Sequence, residues 1–585
     1  MAATVEYTCP IHPAPSLYHT IHTSSSSALE LTSISMRLLS FSLTSLSFLA
    51  LAAAQAPTVT LDQINVTGVR NDTVDKFLGI PYAQAPIGDL RFRLPVNISS
   101  YNQSFDASSY GYTCINQNSS SSTSLVSVVA SIAGDIIGDD DPTTPQSEDC
   151  LTVNVIRPNA DTNSSHPVLV WIYGGGFEGG STIGYDNLTT TLVQRSVAIG
   201  KPIVLVSMNY RMNAFGFIAS QEVQNEGVGN IGLHDQREAL RWVKRYIGAF
   251  GGNSSHVTLW GQSAGAISAS LQMVAYDGRD EDLFHAAFMQ SGSPIPVGNI
   301  TGGQIYYNDL VNRTGCYGQD DTLSCLRSAP LANLTDAINQ SPGLFAYQSL
   351  ALAWSPRADG TFLTAHPQHL VQQDKVLHIP MVSGDVDDEG TVFAQSTKNI
   401  TTDEEFRSYV SDIWLPGASD EDLEPLWGAY PSDPADGSPF NTSFVSAITP
   451  QYKRMAAFQG DAVFQAPRRY FLQEQAGKQP IWSYLSRRLK YLPILGSFHA
   501  SDLYLDLLND YVIQFANNYD PNLDDSFNGD DDDDNDRPNW PQYTADSPAL
   551  YTFPSTDFGD IEITQDTYRE GPMRVLTNLS TRFPL

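Results

Sequence analysis

Gly261-Gln262-Ser263-Ala264-Gly265 sets a serine hydroxyl between two glycines. The apolar run before it, residues 257–260, reads as a short strand, and the small-residue pattern at 264–275 reads as a helix. A serine on a strained strand-to-helix turn holds its hydroxyl above the sheet, where it can act as a nucleophile. Side chains at 261 and 265 would collide with the neighbouring strand and helix, hence the glycines. Near neutral pH a serine hydroxyl attacks poorly and needs a base, usually an imidazole oriented by a carboxylate. In sites built on such a turn the chain order is serine, acid, histidine. His499 is the only histidine after His378, so it is the base if the acid lies near residue 385 or later. His285, His366, His369 and His378 read as packed or surface histidines. The residues leave the acid open among Asp385, Asp387, Asp388 and Glu389, at the exit of a strand read at 379–383. Four carboxylates so close together cannot all be buried and charged, so most are expected to face solvent or pair with cations.

Other elements must bring these groups together. Residues 167–173 read as a buried strand delivering Gly174-Gly175-Gly176-Phe177, whose glycines let backbone N–H groups turn toward one point, as a developing oxyanion requires. Residues 203–208 form another apolar run, and 235–247 read as a helix with Leu240, Val243 and Ile247 inward and Arg237, Lys244 and Arg245 outward. Strands alternating with helices imply an α/β chain with a large, mostly parallel sheet covered on both faces. No internal repeat is visible.

The chain of 585 residues is 41% hydrophobic, ample for a sizeable core, and its formal net charge is −32. That charge argues against nucleic acid and anionic membrane surfaces as partners. Met36-Arg37, the apolar run to Ala50 and Leu51-Ala52-Ala53-Ala54 read as a secretory signal peptide over 36–54, too short for a stable membrane span. Residues 1–35 resemble no targeting signal, and translation is expected to begin at Met36. The mature chain then starts near Gln55 and runs to 585 as one domain with insertions. Cys9 is lost, leaving Cys114, Cys150, Cys316 and Cys325, an even set suited to an oxidising compartment. Of three connectivities, the sequential one, Cys114–Cys150 and Cys316–Cys325, is expected because it closes two surface loops. No Cys-x-x-Cys or adjacent histidine supports a metal site. The acidic run at 530–534 reads as a solvated loop. Sequons at Asn65, Asn97, Asn187, Asn299, Asn399 and Asn441 are candidate glycosylation sites.

Between Cys114 and Cys150, Leu125, Val128, Val129, Ile132 and Ile136 fall on one stripe of a short helix. A disulfide at its ends would make this segment a tethered flap, read as a mobile lid; the alternative is a helix packed permanently on the core.

Several segments together resemble the type-B carboxylesterase/lipase family, which includes the cholinesterases. They are Ser147-Glu148-Asp149-Cys150-Leu151, the 174–177 glycine turn, Gly232-Leu233-His234-Asp235-Gln236-Arg237, the Ser263 elbow and Asp388-Glu389-Gly390-Thr391. The similarity runs from about Gly79 to the Trp540-Pro541-x-Tyr543 segment. It implies an α/β-hydrolase fold, Ser263 as nucleophile, Glu389 as acid and His499 as base. It further implies an oxyanion hole of the Gly175, Gly176 and Ala264 N–H groups, the sequential disulfides, and a structural ion pair of Arg91 with Glu148. The Ser497-Phe498-His499 context and the long flap most resemble secreted fungal lipases and sterol esterases. Gln262 departs from the glutamate that many such lipases carry.

The expected function is therefore hydrolysis of carboxylic esters, with lipophilic acyl esters as substrates and lipid aggregates as a possible interface. No cofactor or metal is required. A short-chain or aromatic-acid esterase is the nearest alternative; a non-catalytic interaction module is the other, set against an intact triad. Oligomeric state is not legible.

Overall fold

The computed structural model describes residues 56–118, 144–159, 164–524, 527, 537–556 and 559–585. The signal peptide, Cys9, the five apolar residues of the flap stripe and the acidic run at 530–534 lie outside the described residues.

Short apolar runs become strands because their faces are buried on both sides. The strands are β1 (Thr58–Leu61), β2 (Ile64–Thr67), β3 (Val69–Asn71), β4 (Val74–Pro81), β5 (Phe105–Asp106), β6 (Thr152–Pro158), β7 (His166–Ile172) and β8 (Val204–Met208). They continue with β9 (Gly252–Gln262), β10 (Ala286–Gln290), β11 (Met381–Val386), β12 (Ile481–Ser486), β13 (Ala549–Phe553) and β14 (Glu562–Gln565). β1, β2 and β5 form a small sheet; the other eleven form one large sheet in the order β14-β13-β12-β11-β10-β9-β7-β8-β6-β4-β3. Every neighbouring pair from β8 across to β13 is parallel. The antiparallel pairs lie at the two edges. All residues of β8, β10, β11, β12 and β13 are buried, as expected for parallel strands covered by helices on both faces. This is an α/β-hydrolase fold.

The register aligns the strand ends that matter. Ile172 of β7 pairs with Gly261, Gln262 pairs with Gln290 of β10, and Gln290 pairs with Gly384 of β11. The glycine turn, Ser263 and the 385–389 carboxylates therefore leave the sheet at one edge, the carboxyl ends of parallel strands where open α/β sheets bind ligands.

Several boundaries differ from the sequence reading. The strand before Ser263 is longer than residues 257–260. The helix expected at 235–247 begins at Ile231 and ends at Tyr246, with Arg237 buried against Gln272 and Glu281 rather than facing outward. The acid strand is Met381–Val386 rather than 379–383, so Asp385 lies within it. Pro380 precedes it and cannot donate to a ladder.

The disulfides pair sequentially, Cys114 with Cys150 and Cys316 with Cys325. Arg91 Nε and Nη2 grip the Glu148 carboxylate at 2.6 and 2.7 Å, and Nη1 donates to the carbonyls of Arg327 and Ala329. This buried fork joins the root of the flap to the segment after Cys325.

All four carboxylates at 385–389 are buried, and three find cations. Arg468, fully buried, bridges Asp385 and Asp566, while Lys490 holds Asp387 and Asp388. Asp388 also accepts from Ser438 Oγ, Phe440 N and Ser497 N. Asp388→Asn leaves Lys490 short of a buried partner and costs roughly 3 kcal/mol or more of stability. Urea or thermal unfolding measures it; an unchanged midpoint would show that Asp387 suffices for Lys490.

Candidate active site

The elbow is tight for reasons the backbone makes plain. Ser263 sits at φ 56°, ψ −125°, a conformation that costs energy for a side-chain-bearing residue. A Cβ at Gly261 would lie 2.4 Å from Gly265 C, and one at Gly265 would lie 1.9 Å from Ile172 O. Ser263 N–H donates to Gln290 O at 2.9 Å, anchoring the turn to β10. The helix Ala264–Val274 that follows is buried throughout, so Ser263 is the half-open residue of an otherwise closed turn.

Across from it, Gly175 and Gly176 adopt φ of +104° and +64°. A Cβ at Gly175 would meet Gly179 O at 2.1 Å, so only glycine permits this turn. Glu178 and Gly179 donate back to Gly175 O. Among the described residues, the N–H groups of Gly175, Gly176 and Ala264 have no acceptor. Ala264 is the first residue of its helix, where N–H groups lack intrahelical partners.

The imidazole is held by its loop and by aromatic walls. Ser497 and Asp388 exchange backbone and side-chain hydrogen bonds at 2.9 Å, and Thr391 Oγ1 donates to Leu495 O. The His499 ring lies 5.1 Å from Phe393 and 4.5 Å from Phe464, centroid to centroid. Its Nδ1 is 2.5 Å from Glu389 Oε2, and Glu389 Oε1 accepts from Val386 N. Of the four candidate carboxylates, Glu389 makes the contact to His499; the other three serve the ion pairs above.

Nδ1–H therefore faces the carboxylate, which leaves Nε2 with its lone pair free. Here it meets Gln262 Nε2 at 3.3 Å, while Ser263 Oγ makes no hydrogen bond among the described residues. Contacts of this kind often tighten only with substrate bound. Nothing in the sequence marks Gln262 as a neighbour of the His499 ring; its place directly before Ser263 is the one available cue.

Burial pushes the Glu389 carboxyl up, opposed by the Val386 N–H. Burial also pushes the His499 imidazole down to about 4, against the pull of Asp502 and Asp385. A base must be unprotonated, and a lowered value keeps Nε2 so at neutral pH. The acid limb of kcat/KM is accordingly expected below 6.5, the ordinary imidazole value. A pH–rate profile with its acid midpoint at 6.5 or above would contradict this.

A cavity of about 570 Å³ opens beside Ser263. Ile267, Leu344, Phe393, Phe464 and Leu585 are among the side chains that make its wall chiefly apolar, and Gly176 and Ala264 lie at its Ser263 end. No group of side chains fit to hold a metal ion occurs among the described residues.

Residues 55–565 match the carboxylesterase family. The chain is 41% identical over 524 residues to Lipase 2 of Diutina rugosa, covering 85% of this chain and 92% of that protein. It is 38% identical over 488 residues to a secreted triacylglycerol lipase of Gibberella zeae, covering 80% and 82%. The crystal structure of Aspergillus niger EstA is similar at a TM-score of 0.75 and 25% identity, over 91% of this chain and 99% of that one. The nucleophile elbow, the glycine turn and the family match converge: the chain belongs to the carboxylesterase family and is a carboxylic ester hydrolase.

Proposed function

We propose that the protein is a secreted serine hydrolase of lipophilic acyl esters, working through Ser263, Glu389 and His499. The observation that carries this reading is the Glu389–His499 contact at 2.5 Å, set beside the Ser263 elbow at the mouth of an apolar cavity. Nε2 of His499 exchanges the Gln262 amide for Ser263 Oγ and takes its proton as Oγ attacks the ester carbonyl. The oxyanion is held by the Gly175, Gly176 and Ala264 N–H groups. His499 then returns the proton to the leaving alcohol, and water repeats the sequence to release the acid. Glu389 holds the imidazole in the Nδ1–H tautomer and stabilises it when charged.

Secretion is supported by the signal-like stretch at 36–54, two disulfides, and six sequon asparagines that are all exposed. It also accords with relatives named as secreted. No helix among the described residues is long and apolar enough to cross a membrane.

Lipophilic substrates are supported by the apolar cavity and by the stripe of Leu125, Val128, Val129, Ile132 and Ile136. If that stripe faces water, five aliphatic side chains would cost roughly 1.5–3 kcal/mol each, a load that a lipid aggregate relieves. Activity on a long-chain ester should rise above its aggregation threshold, and Ile132→Asp should blunt that rise more than it harms short soluble esters. Kinetics across the solubility limit test this; a smooth hyperbola with no upward break would leave an esterase of dissolved substrates.

A further inference from the structure

We propose that Glu178 is a positioning residue for the oxyanion loop, its carboxyl tying the 174–177 turn to the entry of the Cys114–Cys150 segment and to the roof of the catalytic cavity. The inference rests on the reading above, in which Gly175 and Gly176 N–H hold the oxyanion.

Glu178 directly follows the turn, and its N–H donates to Gly175 O at 3.1 Å. Its carbonyl accepts from Gln117 N at 2.9 Å, three residues after Cys114. The side chain is 5% exposed, and Oε2 accepts from Leu344 N at 2.6 Å. Leu344 lines the cavity directly over Gly176, where a Cβ would come within 3.2 Å of it. Gln117 grips the same stretch from its other end, Nε2 donating to Ser341 O and Oγ at 3.1 and 3.2 Å. The 341–344 roof is thus clamped by two side chains that are also joined through their backbones.

Two atoms in this clamp lack partners. Glu178 Oε1 and Gln117 Oε1 are both buried acceptors with no donor. Gly343 is the close neighbour of both side chains: a Cβ there would lie 3.4 Å from Gln117 Nε2 and 3.4 Å from Glu178 Oε2. A proton on Glu178 Oε1 would remove the charge from a carboxyl that has one hydrogen-bond donor. An ionised carboxylate would instead be buried with one hydrogen bond, at much higher cost. Burial pushes the Glu178 carboxyl up to about 8, with the Leu344 N–H alone pulling it down. Glu178 therefore acts as a neutral acid, and its amide isostere should replace it.

The test compares Glu178→Gln with Glu178→Leu, reading kcat and KM on a short soluble ester and the rate at which a fluorophosphonate probe labels Ser263. Glu178→Leu should lower kcat and the labelling rate on the order of 10-fold or more, short of the 10²–10³ for losing an oxyanion donor outright. KM should move little, and Glu178→Gln should keep the parent's thermal midpoint and stay within about twofold of its kcat, since the amide offers the same acceptor and a donor. Glu178→Leu, by contrast, strands the Leu344 N–H and should also lower the midpoint. An unchanged kcat in folded Glu178→Leu overturns the proposal, as does an equal loss in both variants. If Glu178→Leu does not fold, Gln117→Leu takes its place: it removes the Gln117 Nε2 donors to Ser341, the other grip on the 341–344 stretch, and should lower kcat likewise, and an unchanged kcat there overturns the proposal. Probe label found on another residue of the parent protein overturns the Ser263 reading itself, whatever the Glu178 variants do.

Discussion

Ser263→Ala should yield a folded protein whose ester hydrolysis is lowered by on the order of 10⁴-fold or more. The elbow restricts the fold more than the hydroxyl does: the glycines at 261 and 265 and the Ser263 N–H bond to Gln290 O are untouched by the change. Folding is therefore expected to survive while the acyl-enzyme cannot form. What remains is whatever the N–H groups of Gly175, Gly176 and Ala264 contribute by holding the carbonyl for attack by water. Steady-state hydrolysis of a soluble ester, with circular dichroism as the folding control, measures the loss. Activity near the parent level would place the nucleophile elsewhere.

His499→Ala should be about as damaging, because nucleophile and base act as one unit. Glu389→Gln should also cost on the order of 10⁴-fold, since an amide facing Nδ1 no longer enforces the Nδ1–H tautomer or stabilises the imidazolium. Asp385, Asp387 and Asp388 predict a different signature. Their partners are Arg468 and Lys490 rather than the imidazole, so their amide variants should lose stability before turnover. Folded protein in which an Asp→Asn change alone abolishes turnover would assign the acid to that residue instead.

The parts of the site visible in the sequence are those fixed by local backbone geometry. A Gly-x-Ser-x-Gly turn and a glycine triplet are written in consecutive residues, although the carbonyl that forbids a Cβ is local at Gly175 (Gly179 O, 2.1 Å) and distant in the chain at Gly265 (Ile172 O, 1.9 Å). The large parallel sheet was legible for a similar reason, since strands buried on both faces are apolar without alternation. The register of the acid strand was not, because Pro380 and the polar Ser383 and Asp385 obscure where an otherwise apolar run begins and ends. Partners far apart in the chain were equally hidden. Arg468 meets Asp385 and Asp566 across 83 and 98 residues, and nothing local marks an arginine for complete burial. The aromatic walls of His499, Phe393 and Phe464, lie 106 and 35 residues before it in the numbering. Gln262 is visible in the sequence only as a departure from a glutamate, while the contact of its amide with His499 Nε2 at 3.3 Å is not. Only the fold brings these together.

The Cys114–Cys150 bridge joins residues 36 apart in sequence, and that closure has a consequence for any proteolytic cut made inside it. A single cut anywhere inside the loop severs the backbone but releases nothing. The two pieces remain one covalent molecule, with the Arg91–Glu148 fork still holding the root of the loop to the body. Damage there is thus silent to size until a reductant arrives.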